Sequence, residues 1–188
     1  MPIRPICITG NPVLHTKALE VTVFDENLQQ LVLDMFETMD EAPGVGLAAP
    51  QVGVNLRVFV YDWDAEDSSP QRGVVINPTL ELSEIPDGPA DLDAESEGCL
   101  SIPGERFPLR RADRAILRGV DLDRAPVHIE ATGWFARIFQ HEFDHLNGIL
   151  YADRLEEIHK AECQKIVVER GWGKDGLSWL PGEEHLEG

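Results

Sequence analysis

The period of apolar and polar positions changes several times along the chain, and each change marks an element. Over 25–40, "DENLQQLVLDMFETMD", the residues Leu28, Leu31, Val32, Met35, Phe36 and Met39 recur at three-and-four spacing, which predicts an amphipathic helix. Asp25 is placed to cap it, and Pro43-Gly44 stop it. The run "LRVFVY" (56–61) predicts a strand, followed by an acidic polar loop from Asp62 to Arg72. "GVVINPTLEL" (73–82) predicts a second strand, in which Pro78 marks an edge or a bulge because it has no N–H to give a ladder. Residues 83–95 read as loop. The stretches 113–123 and 126–132 alternate apolar and polar residues, with Arg124-Ala125 between them, and predict a hairpin.

A second helix is expected to start near Trp134, with Thr132 as its cap, and to end at Asn147-Gly148. Trp134 and Ile138 mark one stripe, while Phe135, Phe139, Phe143 and Leu146 cover the other faces. A helix apolar all round is a buried one. A third helix is predicted over 154–170, its mixed charges describing a solvated face. The Gly- and Trp-rich tail, 171–188, has no period and is expected to be irregular, docked in part through Trp172 and Trp179. No repeat or linker breaks the chain, so one domain over 1–188 is expected. Its class is α+β: small antiparallel or mixed sheets packed around the central buried helix, with an N-terminal and a C-terminal helix.

Charge narrows the partners. Thirty-four acids against 16 bases give a formal net charge of −18. Such a surface repels phosphate backbones and anionic membranes, so neither nucleic acid nor membrane is expected as a direct partner. No apolar run approaches spanning length, and Met1 to Pro5 lack the apolar stretch of a signal peptide. Cys7, Cys99 and Cys163 are too few and too widely spaced for a disulfide framework. The expectation is a reduced, cytoplasmic protein.

The chemistry concentrates in "QHEFDHLNG" (140–148). His141 and His145 lie four apart, on one helix face about 5–6 Å from each other. Glu142 is rotated by about 100° from His141, poorly placed as a ligand but able to reach water on an ion. The H-E-x-x-H pattern arises by chance in roughly 2% of chains this long. Chance matches sit on exposed elements, whereas this helix is expected to be buried, and buried titratable groups need a partner. A catalytic divalent ion takes three protein ligands plus water, so a third ligand is needed. His128, Cys99 and the carboxylates, Glu156 and Glu157 downstream among them, are candidates; "HLNGILYAD" lacks the third histidine of a metzincin. Of these, the stretch 95–105 around Cys99 offers the better setting, since Gly98 lets the backbone approach closely and Pro103-Gly104 are expected to end that strand, but a lone cysteine by itself reads as a small core residue and the choice stays open. Cys7 and Cys163 read as small core residues. "GVGLAA" (44–49) also fits a dinucleotide fingerprint, but a helix precedes it, and Pro50 and Gly53 oppose a helix after it, so that reading fails.

Three segments in order, "GVGLAAPQVG" (44–53), "EGCLS" (97–101) and "QHEFDHLNG", resemble the signature segments of the peptide deformylases. "ITGNPVLHTKA" (8–18) is similar to that family's opening segment, with Asn11 where Asp is commoner, and the tail is similar to that of some bacterial members. The resemblance implies that Cys99, His141 and His145 ligate one divalent ion per chain. It favours Fe(II), and the donor set also suits Zn(II), Ni(II) or Co(II). It implies hydrolysis of the N-formyl group of formyl-methionyl peptides, releasing formate. The ion would acidify its bound water, and Glu142 would take that proton and deliver it to the leaving amine. The Gln51 amide and the Leu100 backbone N–H would hold the oxyanion.

Gly46 would let the substrate backbone approach as an added strand. Trp134, Ile138, Val45 and Leu47 would line the methionine slot. Arg137 stands where members often carry an apolar residue; its stem is expected to pack and its head to reach water. Asp144 is either a partner of the histidines or of Arg111 or Arg154, and Glu97 and Arg106 are expected to form an ion pair. The expected partners are nascent chains at the ribosome, met by a monomer whose acidic end does not suit RNA docking. The alternative is a zincin-type metalloprotease using the same helix, with a His or carboxylate as third ligand. A closed structural metal site would need four protein ligands and no base.

Overall fold

A computed structural model describes residues 2–64, 71–184 and 186. Its largest layer is a five-stranded antiparallel sheet in the order β2 (Gly46–Ala48), β3 (Val58–Trp63), β4 (Gln71–Leu82), β7 (Arg114–Val120) and β8 (Pro126–Thr132). Strand β3 is apolar at successive positions because both faces of the sheet are covered. Val58 and Val60, with Leu47 and Ile76, face helix α1 (Glu26–Glu41) through Leu31, Val32, Met35 and Met39. Phe59 and Tyr61, with Ala48, Val75 and Leu117, face helix α2 (Gly133–Leu146) through Ala136, Ile138, Phe139 and Leu146. Successive strand side chains point to opposite faces, so one run of residues feeds two cores. Fully burying a side chain such as Phe59 or Phe139 contributes about 1.5–3 kcal/mol, and their rings meet at 6.1 Å between centroids.

Asp25 caps α1 as expected, its carboxylate accepting from Leu28 N–H at 3.0 Å. Thr132 precedes α2 but makes no side-chain cap; the Gly133 N–H is instead taken by the Asp113 carbonyl at 2.9 Å. Gly148 (φ +73°) follows the end of α2. In β4 the register shifts between Ile76 and Thr79, so Pro78 marks a bulge, not an edge. The polar segment expected as loop from Asp62 is partly strand. Asp62 pairs in register with Arg72, whose guanidinium binds Asp62 and Asp40, while residues 65–70 lie outside those described.

A separate two-stranded sheet is formed by β5 (Ser96–Cys99) and β6 (Ile102–Pro108). The turn falls at Leu100-Ser101, and Pro103-Gly104 lie inside β6 instead of ending the strand. The expected third helix is two: α3 (Tyr151–Arg154) and α4 (Glu157–Glu169). They break where Leu155 turns extended and enters the third core beside Tyr151 and Cys163. The tail is less irregular than its composition implies: β9 (Ser178–Trp179) pairs antiparallel with β1 (Ile6–Cys7). Among the described residues no helix is long and apolar enough to cross a membrane.

Candidate metal centre

Helix α2 lies on the sheet, so whatever its other face carries is held on a rigid, buried platform. His141 and His145 occupy that face, with Nε2 atoms 3.2 Å apart. β5 ends at Cys99, whose Sγ lies 3.3 Å from His145 Nε2. The ligand atoms of Cys99, His141 and His145 all lie within 4.8 Å of one another. Nitrogens and a sulfur facing each other this closely repel unless something positive sits between them. A thiolate and two imidazoles fit a divalent ion of borderline softness, with one coordination position left open. Without an ion, burial opposes charge on His141, but Cys99 and Glu97 outweigh it and raise its pKa. Burial, then His141, pushes His145 down and keeps it neutral.

Glu97 stands two residues before Cys99, on the same face of β5, and accounts for the orientation of His141. Its Oε2 lies 2.7 Å from His141 Nδ1 and accepts from Arg111 Nη2 at 3.0 Å. Its Oε1 accepts from Arg111 Nε at 2.8 Å and Arg137 Nη1 at 3.1 Å. Burial would raise its pKa, but the His141 and Arg111 bonds prevail and hold it well below the carboxylate range. The expected pairing of Glu97 with Arg106 is therefore wrong: Arg106 donates to the Ser96 carbonyl at 3.4 Å, whereas Glu97 is buried and points inward. Asp144 binds Arg111 at 2.7 Å and Arg154 at 2.6 Å, as its arginine alternative has it. Arg137 does not send its head to water. Its guanidinium is buried, donating to the Leu109 carbonyl at 2.6 Å and to Glu95 at 3.1 Å, and packs on the Trp134 ring.

Glu142 contrasts with Glu97. It is 4% exposed, and its Oε2 has no partner among the described residues. Burial pushes its pKa up to about 7, with His141 opposing and Glu97 adding to the rise. Its carboxylate fills the space beside Gly46, where an added Cβ would lie 2.4 Å from Glu142 Oε1. Gly46 is thus needed to seat Glu142, a role that the reading of its sequence did not give it. Gln51 is not a solvated loop residue but is 1% exposed in the 3-10 turn Ala49–Val52. Its Oε1 accepts from Ala48 N–H at 2.8 Å, which aims Nε2 at Cys99 Sγ (3.8 Å) and Ser101 Oγ (3.4 Å). Leu100 follows Cys99 in the turn, and its carbonyl accepts from Trp179 Nε1–H at 2.9 Å.

A cavity of about 450 Å³ opens over these groups, lined among others by Val45, Gly46, Trp134, Ile138, His141 and Glu142. Leu47 is not at its wall. Strand alternation turns it to the α1 face of the sheet, where it is fully buried, so it leaves the methionine slot. The other third-ligand candidates stay apart: His128 is exposed on β8, and Glu156 and Glu157 are exposed at the start of α4. Glu97 and Arg137 are the neighbours of the site whose parts sequence reasoning missed. The period-2 offset of Glu97 from Cys99 was the available signal.

The family model for polypeptide deformylase matches residues 3–161. A peptide deformylase of Mycolicibacterium vanbaalenii is 50% identical over 191 residues, covering 98% of this chain and 97% of its own. One from Mycobacterium leprae is 51% identical, covering 97% and 96%. Among solved structures, a peptide deformylase from Legionella pneumophila superposes with TM-score 0.76 at 35% identity, covering 90% of this chain and 96% of its own. One from Synechococcus elongatus in complex with actinonin gives TM-score 0.76 at 34% identity, covering 94% and 92%. Matched by that model over most of its length and by relatives along nearly all of it, the chain belongs to the polypeptide deformylase family.

Proposed function

We propose that Cys99, His141 and His145 hold one divalent ion, with Glu142 as the proton carrier and with Gln51 and the Leu100 N–H as oxyanion donors. The reaction they serve is the family's: hydrolytic removal of the formyl group from the N-termini of nascent polypeptides, by a metal-dependent hydrolase. The observation that carries the residue roles is the buried Glu142 carboxylate, whose Oε2 has no partner among the described residues, beside three converged ligand atoms. When bound, the ion supplies Lewis acidity, acidifying water and polarising the formyl carbonyl. Fe(II) is the native ion, and Zn(II), Ni(II) or Co(II) can stand in its place.

Glu142 removes a proton from the attacking water and returns it to the leaving amine nitrogen. In the ion-free protein burial raises its pKa to about 7, so the pocket itself favours uptake of the proton that the water gives up. The Gln51 amide is held by Ala48 N–H, so Nε2–H points at developing charge without reorganising. A donor of that kind is worth about 2.7–4 kcal/mol in the transition state. β2 is an edge of the five-stranded sheet, so an extended substrate can add to it as a strand. Val45, Trp134 and Ile138 line the slot for the methionine side chain. The substrate is a formyl-methionyl nascent chain at the ribosome, met by a monomeric, cytoplasmic enzyme. A thiol as third ligand and the family's reaction both disfavour an endopeptidase.

The test is formate release from formyl-Met-Ala-Ser by metal-loaded protein, with chain cleavage followed in parallel. Wild type is expected to release formate and leave the peptide otherwise whole. Glu142→Gln is expected to keep its metal and lose about 10²–10⁴-fold in kcat. Near-normal turnover in that variant would end the proton-carrier role. Metal analysis after anaerobic purification decides the ion.

A further inference from the structure

The segment beyond residue 161 lies outside the stretch that the family model matches, yet it reaches the back of the site. Trp179, the second residue of β9, is 3% exposed, and its indole N–H donates to the Leu100 carbonyl at 2.9 Å across 79 residues of sequence. Strand β9 is pinned in that place by the N-terminal chain. Ile6 and Cys7 pair with Trp179 and Ser178, and the Ile8 N–H donates to the Leu177 carbonyl at 2.9 Å. The N-terminal chain then grips the turn next to Leu100, because the Thr9 N–H donates to the Ser101 carbonyl at 2.8 Å. Thr9 in turn accepts from Gly173 N–H at 3.0 Å. Backbone contact is close enough there that a Cβ on Gly10 would lie 2.2 Å from the Gly173 carbonyl carbon.

Two consecutive carbonyls of the turn, those of Leu100 and Ser101, are therefore held from behind by chain remote in sequence. Cys99 belongs to the β5 ladder, which fixes the turn at its front. With the peptide planes on both sides restrained, the Leu100 N–H has little freedom to swing. A buried carbonyl and a buried indole N–H each cost free energy if left unpaired, so the bond is favoured from both ends. We infer that Trp179 is a positioning residue for the reaction: its indole N–H sets the direction of the Leu100 backbone N–H. The inference rests on the reading that this N–H receives the oxyanion.

Trp179→Phe keeps most of the buried apolar volume and removes the donor. In the metal-loaded variant, kcat on formyl-Met-Ala-Ser is expected to fall about three- to tenfold, the worth of one hydrogen bond acting on the transition state. KM and metal content are expected to stay at wild-type values, and amide exchange across 99–102 to quicken. If Trp179 only packs, the melting temperature falls while kcat per folded, metal-loaded molecule stays unchanged, and that result overturns the inference. Gln51→Ala, assayed alongside, separates the two levels. Loss of kcat in Gln51→Ala with none in Trp179→Phe removes the part given to Trp179 alone, whereas wild-type kcat in both removes the oxyanion reading beneath it. Should Trp179→Phe fail to fold, the indole N–H resonance of the wild type serves instead. It is expected to shift when methionine hydroxamate fills the site, and a resonance that does not move overturns the inference.

Discussion

Glu97 and Glu142 are both almost wholly buried beside His141, yet their surroundings are opposite. Glu97 is gripped by Arg111, Arg137 and His141 and held ionised. Glu142 has one oxygen with no partner among the described residues, and burial lifts its pKa to about 7. Burial alone does not distinguish a carboxylate that organises a site from one that reacts in it. The distinction lies in whether the fold satisfies the charge or leaves it poised.

The largest test of that contrast is Glu97→Ala. It takes from Arg111, Arg137 and His141 the buried carboxylate they share, leaving Asp144 on Arg111 and Glu95 on Arg137, and is expected to lower stability by about 3–5 kcal/mol, read by urea unfolding at neutral pH. A loss under about 1 kcal/mol would mean that Asp144 and Glu95 suffice for the arginines and that Glu97 is no clamp. Gly46→Ala comes next. Its Cβ displaces the Glu142 carboxylate, and a shift near 1 Å is expected to lower kcat about 10- to 100-fold while metal content holds. Unchanged turnover would show that Glu142 has room to spare.

In metal-free protein, Glu142→Gln is expected to act on stability in the direction opposite to Glu97→Ala. A pKa raised on folding means that the native state holds the proton more tightly. Its contribution is fully present below the ordinary carboxylate range and is lost as pH rises through about 7. The glutamine variant lacks that loss, so it should be the more stable protein at pH 8 by thermal unfolding. Equal stability at both ends of the range would contradict the burial of an unpaired carboxylate. The smallest effect belongs to Arg154→Ala. Arg154 is nearly half exposed, and Asp144 keeps Arg111, so a loss of only about 0–1 kcal/mol is expected.

Helix α2 was legible because two signals coincide in it: apolar residues on every face, and two histidines four apart with a glutamate between them. The α1 cap and the β7–β8 hairpin were legible for the same reason, since their determinants are local. Cys99 could be favoured by its setting, but the choice over His128, Glu156 and Glu157 rested on resemblance, because nothing in spacing brings β5 to α2. The arginine clamp was illegible as such: Arg111 and Arg137 lie 14 and 40 residues from Glu97. Leu47 was misplaced because a two-faced sheet hides which side each residue takes. Trp179 was expected to dock, but a strand of two residues has no period from which its pairing with β1 could be read.

Cys99 closes a strand of the small sheet, whereas both histidines ride on a helix packed against the large one. An ion gripped by all three is thus also a staple. It fastens the β5–β6 hairpin to the main body and ties off a loop whose ends, Cys99 and His145, are 46 residues apart in sequence. Cross-links of that reach restrict the unfolded chain by about 4 kcal/mol in chain-entropy terms. Chelation then loosens architecture along with chemistry, and protease nicking of the hairpin should rise in step with ion loss.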